Sequence, residues 1–341
     1  VHPIAEKVLA REVRGVARAC RMVDDRMDGY VHVLKDLFPH TGKAWIVGVT
    51  GNPGAGKSTL TDRLVEHWRS ENKRVGVVAV DPTSPFSGGA ILGDRIRMQR
   101  HFEDPEVFIR SMATRGALGG LSRSATDVVR ILDAWGADVV VVETVGVGQD
   151  ELEVTRAAHT TLIVMAPGMG DGIQAIKAGI LEVADVFAVN KADRDGADAT
   201  VRDLELMIAL GQGVSASTKN KGHMGSMGYG SKKEGATDGG WVPPITRCVA
   251  TQNQGIATLV EKLSSHYAWL RSSPEGEARL AQRLREQMYN EMREALVEAA
   301  VREIHGTIEE TVGLVASKQV DPYTACERLV EAFKLGRKSE A

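Results

Sequence analysis

Cysteine is almost missing from this chain: only Cys20, Cys248 and Cys326 occur in 341 residues. They lie far apart, with no CxxC or CxC pair, so neither a disulfide framework nor a sequence-local metal site is indicated. The nine histidines are scattered, without the His-rich tail or paired Cys/His ligands that a nickel-handling protein would carry. The 11 methionines are equally dispersed and form no Met-rich signal-binding domain. No apolar run approaches the roughly 20 residues that span a bilayer, and the first residues lack the apolar stretch of a signal peptide. A cytoplasmic chain, or one in a mitochondrial matrix, is the resulting expectation. Excess charge is absent too. The formal net charge of -3 gives no electrostatic argument for nucleic acid or an anionic membrane as partner. What is present, 26% charged and 43% hydrophobic residues, suits a soluble enzyme with one large domain and smaller appendages.

The richest local pattern is Gly51 to Ser58, Gly-Asn-Pro-Gly-Ala-Gly-Lys-Ser, set between the apolar run Ala44 to Thr50 and a helix-like segment opening at Lys57. Glycines at 51, 54 and 56 let the backbone curl around phosphates and turn its N–H groups inward, with a helix N-terminus behind them. Lys57 is expected to reach the β- and γ-phosphates and the Ser58 hydroxyl to ligate Mg²⁺. Gly51, Asn52, Pro53, Gly54, Ala55, Gly56, Lys57, Ser58 and Thr59 are the expected phosphate-side residues.

Around this loop the pattern alternates. Residues Ile4 to Phe38 carry apolar positions at three and four spacing before Pro39, which predicts a helical extension over 1–43. Short apolar runs then recur as Trp45 to Thr50, Val75 to Val80, Val107 to Ile109, Val139 to Val142, Thr161 to Ala166, Val186 to Val189 and Ile245 to Val249, mostly with helix-like stretches between. Near-continuous Val/Ile runs are what parallel strands buried on both faces look like. The expected fold is α/β, a doubly wound, mainly parallel sheet over 44–272 with ligands at the carboxyl ends of its strands. Gly211 to Pro244, rich in glycine and poor in apolar anchors, reads as a flexible insertion. Helices are expected over Ile256 to Leu270 and Glu275 to Glu303, punctuated at Gly306, with a further pair broken at Pro322. Residues 273–341 would pack on their own core or form a dimer arm; periodicity leaves both open.

Three further strand ends carry chemistry. Asn190-Lys191-Ala192-Asp193 follows Val186 to Val189. In such an NKxD loop the Asp193 carboxylate accepts hydrogen bonds from the guanine N1–H and exocyclic amine, a donor pair that adenine lacks. Asn190 would hold the loop and meet N7, and the Lys191 stem would lie over the base, so GTP rather than ATP is expected. Asp81, at the end of the second run, suits Mg²⁺ directly or through water, and Asp94 is placed to approach the metal or the attacking water. Their plainer roles would be helix capping and a surface ion pair. Glu143, heading Glu143-Thr144-Val145-Gly146-Val147-Gly148, takes the place of the acidic residue near Mg²⁺ or the water, and the Gly146 N–H would sense the γ-phosphate.

Taken together, Gly51 to Ser58, Val80 to Met98, Glu143 to Gln149 and Gly168 to Ile180 resemble the MeaB/ArgK/MMAA GTPases of the SIMIBI class of P-loop GTPases, over nearly the whole chain. The resemblance implies a GTPase chaperone of an adenosylcobalamin-dependent acyl-CoA mutase, with adenosylcobalamin belonging to the mutase and supplied by an adenosyltransferase. It also implies a homodimer formed through the C-terminal arm. Gly168 to Ile180 matches the family's third switch, which makes Asp171, Gln174 and Lys177 the residues implied to relay nucleotide state to the partner. An arginine/ornithine transport kinase and a nickel-type metallochaperone GTPase are the alternatives carried by related scaffolds.

Two features depart from the family pattern. The base-supporting loop, usually Ser-Ala, reads Val249-Ala250-Thr251, which moves its hydroxyl to Thr251 and leaves the Ala250 N–H to meet the guanine oxygen. The Gly-rich stretch is also longer. For hydrolysis, Lys57, Mg²⁺ and loop amides are expected to stabilise phosphoryl charge while Asp94 or Glu143 orients water. Arg95, Arg97, Arg115 and Arg123 read as structural or partner-facing rather than catalytic. Turnover is expected to be slow alone and faster when the mutase orders the switches.

Overall fold

Valine runs that are apolar at every position need cover on both sides, and the computed structural model supplies it. It describes residues 1–81, 98–101, 103–113, 123–144, 158–168, 183–217 and 240–338. The chain divides into two compact units, Val1–Glu277 and Ala278–Ala341.

In the first unit seven strands form one all-parallel sheet: β1 (Trp45–Gly51), β2 (Val75–Asp81), β3 (Val107–Ala113), β4 (Val139–Thr144), β5 (Thr160–Met165), β6 (Val186–Val189) and β7 (Ile245–Arg247). Their order is β3-β2-β4-β1-β5-β6-β7. β1 is central, with Val49 opposite Glu143 of β4 and Gly51 opposite Val164 of β5. The chain builds to one side of β1 and then to the other, which puts the switch in strand order, where doubly wound sheets take ligands at their carboxyl ends, beside β1.

Alternation along each strand feeds two cores. Val139 and Val141 join Val47, Val49, Val75 and Val77 under α4 (Lys57–Ser70) and α7 (Ile256–Ser272), which contribute Leu60, Leu64, Trp68, Leu259 and Leu263. Val140 and Val142 face the other way, with Val78 and Val80, against α5 (Arg123–Ala134). Each fully buried valine or leucine adds about 1.5–3 kcal/mol over its exposed state.

The first three helices, α1 (Pro3–Leu9), α2 (Val13–Asp24) and α3 (Tyr30–Leu37), share that second core. On α2, Val16, Ala19, Cys20 and Val23 recur at helical spacing and are buried, which is why this face seeks α5. An ion pair from Arg110 of β3 to Asp24 fastens α2 to the sheet. Asp133 of α5 accepts N–H bonds from Gly42, Lys43 and Ala44, fixing the entry to β1. The helices read as an extension are therefore packed onto the sheet.

α6 (Ala197–Ser217) covers the β5–β6 end through Val201 and Leu204. It continues through Gly211 and Gly213, into the stretch expected to be loop, because interior glycines cost only about 1 kcal/mol each and weaken a helix without ending it. At the other margin, Trp241 donates Nε1–H to the Asp185 carbonyl at 2.7 Å and its ring meets His266 edge-on at 4.9 Å. Of 211–244, then, 211–217 is helical and 240–244 is fastened to the sheet's amino-end edge. Residues 218–239 lie outside the described residues.

The second unit contains most of α8 (Pro274–Glu303), α9 (His305–Ala316) and α10 (Pro322–Lys338). The break expected at Gly306 falls at Ile304, and Gly306 itself is helical. Asp321 caps α10, accepting from Tyr323 N–H and Thr324 N–H at 3.0 Å. Leu284, Met288, Met292 and Leu296 of α8 are all exposed. No described helix is long and apolar enough to cross a membrane.

Candidate nucleotide-binding site

β1 delivers the chain into the phosphate loop at Gly51, whose φ of 133° is open only to glycine. A Cβ there would stand 2.1 Å from the Val164 carbonyl oxygen of β5. Gly56, at φ 89°, leads into α4, and a Cβ on it would stand 2.5 Å from Asn190 Nδ2. The loop is therefore pressed against β5 on one side and against the β6 loop on the other, which is why these two glycines are required. Inside it, Ala55 N–H closes a turn on the Asn52 carbonyl at 3.1 Å. Lys57 Nζ donates to the Gly51 carbonyl at 2.6 Å and to the Asn52 carbonyl at 3.2 Å. Its ammonium is thus held at the mouth of the loop. Thr59 follows, half-buried, in the first turn of α4.

On the β4 side, Ser58 Oγ donates to Glu143 Oε1 at 2.6 Å, and both residues are buried. A hydroxyl and a carboxylate side by side are hard oxygen donors of the kind Mg²⁺ selects. Below them Thr144 donates its hydroxyl to Thr50 at 3.2 Å, tying β4 to β1 next to the pair. Asp81 ends β2, two strands from β1 across β4. Asp94, Gly146, Asp171, Gln174 and Lys177 lie outside the described residues, as do Arg95, Arg97 and Arg115.

On the other side, β6 ends in the Asn190 loop. Asn190 Nδ2 donates to the Ala55 carbonyl at 2.9 Å, while its Oδ1 accepts from Ala250 N–H at 3.1 Å. One buried amide therefore joins the phosphate loop to the turn after β7. The expected donation of Ala250 N–H to a guanine oxygen competes with this bond. Asn190 Nδ2 keeps a second hydrogen for a ring nitrogen. Lys191, at φ 57°, lays its stem across the loop with Nζ on the Gly54 carbonyl at 2.7 Å. Ala192 N–H bonds the Cys248 carbonyl, and Asp193 is exposed beyond it. Cys248 is buried behind the loop, and burial pushes its thiol up to about 12.

The structure thus brings Gly51 to Thr59, Glu143, Asn190 to Asp193 and Ala250 to Thr251 to neighbouring strand ends. It also adds a residue that the sequence reading did not single out. Arg63, on α4, donates Nε–H to the Ala250 carbonyl at 3.0 Å. No local pattern announces it, because its partner is 187 residues away.

A family model described as methylmalonyl-CoA mutase-associated GTPase MeaB matches residues 16–305. Over 338 residues the chain is 41% identical to a Pyrococcus abyssi protein that bears a GTPase name, covering 97% of this chain and 96% of that one. Over 166 residues it is 39% identical to the mitochondrial methylmalonic aciduria type A homolog of Caenorhabditis elegans, with 48% and 42% coverage. A crystal structure of LAO/AO transport system kinase has a TM-score of 0.63 across 97% of this chain and 96% of its own; at 22% identity the likeness is one of fold.

Proposed function

The chain belongs to the MeaB family of methylmalonyl-CoA mutase-associated GTPases, and on that premise we propose that it is a GTP-hydrolysing chaperone gating adenosylcobalamin loading into a cobalamin-dependent acyl-CoA mutase. The observation that carries the nucleotide half is Asn190, whose side chain joins the phosphate loop to the base-side turn. A purine bound there would have its phosphates and its base edge addressed by separate loops that one side chain joins. The mutase half rests on the family's description.

In this reading the loop N–H groups from Gly51 to Ser58 and the Lys57 ammonium surround the β- and γ-phosphates, and Asp193 accepts from the guanine N1–H and amine. Ser58 and Glu143, with Asp81 and Asp94, would hold Mg²⁺, which supplies neutralisation of phosphate charge. Lys57 and the loop amides stabilise the negative charge on the γ-phosphoryl oxygens as the β–γ bridge bond breaks. Glu143 or Asp94 orients the attacking water, whose oxygen ends on the released phosphate. Asp171, Gln174 and Lys177 relay the nucleotide state to the mutase, and residues 273–341 form a homodimer through the exposed stripe of α8.

Phosphate release from GTP and from ATP, each with and without a candidate mutase, tests this. GTP-selective turnover that rises several-fold with one mutase supports the reading. Equal use of ATP removes the guanine assignment, and indifference to every cobalamin-dependent mutase removes the chaperone role.

A further inference from the structure

Behind the base-side turn stands a ladder of charged side chains that the nucleotide contacts above do not use. Arg63 of α4 divides its guanidinium between two partners, Nε on the Ala250 carbonyl at 3.0 Å and Nη1 on Glu66 Oε2 at 2.8 Å. The other oxygen of Glu66 accepts from Arg100 Nη1 at 3.1 Å. Arg100 in turn grips Asp62 with both arms of its fork, Nε reaching Oδ1 at 2.8 Å and Nη2 pairing with Oδ2. His101 is buried, with Nε2 3.0 Å from Asp62 Oδ1. Burial alone would raise the Asp62 carboxyl. Hydrogen bonds from His101 and Arg100, with their charge, outweigh it and hold the group below its usual range.

Two properties separate this ladder from an ordinary surface ion pair. Its upper end closes on the main-chain carbonyl of Ala250, a residue whose own N–H is already bonded to Asn190. Ala250 is therefore held from both sides, by the NKxD loop and by the helix that carries Lys57 and Ser58. At its lower end, Arg100 and His101 sit in the turn Gln99–His101, just after the stretch 82–97 that contains Asp94. A planar guanidinium can serve a carbonyl and a carboxylate at once, which a lysine ammonium on a flexible stem does poorly.

We propose that Arg63 is a positioning residue for guanine recognition, acting through the Ala250 carbonyl, and that Glu66, Arg100 and Asp62 link that base-side turn to the turn Gln99–His101. This rests on the assignment of the Asn190–Asp193 and Ala250 loops to the base. Removing Arg63 frees the turn to shift away from the guanine edge, while the phosphate loop keeps its own bonds. The loss is specific to guanine, because the phosphate contacts are common to all nucleoside diphosphates.

The test is the affinity of the full chain for fluorescent GDP and ADP analogues, measured for wild type, Arg63→Ala, Arg63→Lys and Arg100→Ala. We expect Arg63→Ala to weaken GDP by about tenfold, chiefly through faster release, and to leave ADP unchanged. Arg63→Lys, which keeps the charge and most of the packing, should fall between and supplies the reading if Arg63→Ala does not fold. Arg100→Ala should weaken GDP less, and its effect should shrink in an Arg63→Lys background, because the two act through one ladder. Wild-type protein that binds ADP as well as GDP overturns the guanine assignment and this inference with it. Wild type that prefers GDP, with Arg63 variants that either retain GDP affinity to within about twofold or lose ADP equally, overturns this inference alone.

Discussion

Asn190 is the residue whose loss should be felt twice. Its amide satisfies a carbonyl in the phosphate loop and an N–H in the base-side turn, and it is buried. Asn190→Ala leaves both backbone groups without that partner, a cost of about 2–4 kcal/mol. Denaturant unfolding should show the loss, and GDP titration should show weakened binding in the protein that remains folded. The cysteines give a second prediction. Cys20 and Cys248 are buried with thiols raised to about 12, whereas Cys326 is exposed. A thiol reagent should therefore modify one cysteine per native chain at pH 8 and all three after denaturation. Asp62 gives a third. Its carboxyl is held low in the folded state, so its stabilisation is complete above the unfolded value of about 3.9 and fades as pH falls through the lower folded value. The stability gap between wild type and Asp62→Asn should narrow as pH falls below about 4.

At the scale of elements, the strands were legible because parallel strands covered on both faces must be apolar at consecutive positions, as Val139 to Val142 are. The phosphate loop was legible for a different reason: it is a local backbone shape that needs glycine at fixed places, and Gly51 and Gly56 meet contacts that exclude any Cβ. Two things were not legible. Composition over 211–244 counted glycines and missed that α6 runs through Gly211 and Gly213, since a helix tolerates what a loop prefers. Arg63 and Arg100 were missed because a side chain's partner far along the chain leaves no trace in spacing. Leu284, Met288, Met292 and Leu296 of α8 mark the next test. They recur every four residues and are 46–61% exposed, an apolar face that water covers poorly. Met288→Asp with Met292→Asp should shift sedimentation of the full chain from dimer to monomer while helix content stays unchanged. A wild-type monomer at all concentrations would remove the dimer arm from the proposal.

Across the whole molecule, the family relationship and the site geometry divide the work. The likeness over residues 16–305 gives the family. The strand ends of β1, β4, β6 and β7 supply a phosphate loop, a buried hydroxyl–carboxylate pair and a base-side turn tied together by Asn190. Those contacts face the nucleotide, so in the proposed role the choice of mutase would rest on surface shape and charge. The central claim is that GTP hydrolysis gates delivery of an intact cofactor. Its most direct test follows the visible spectrum of adenosylcobalamin as it passes from an adenosyltransferase to cofactor-free mutase held in complex with this chain, with GTP or with a non-hydrolysable analogue present. The account predicts transfer with GTP and arrest with the analogue. Transfer at the same rate with either nucleotide, or with none, would contradict it.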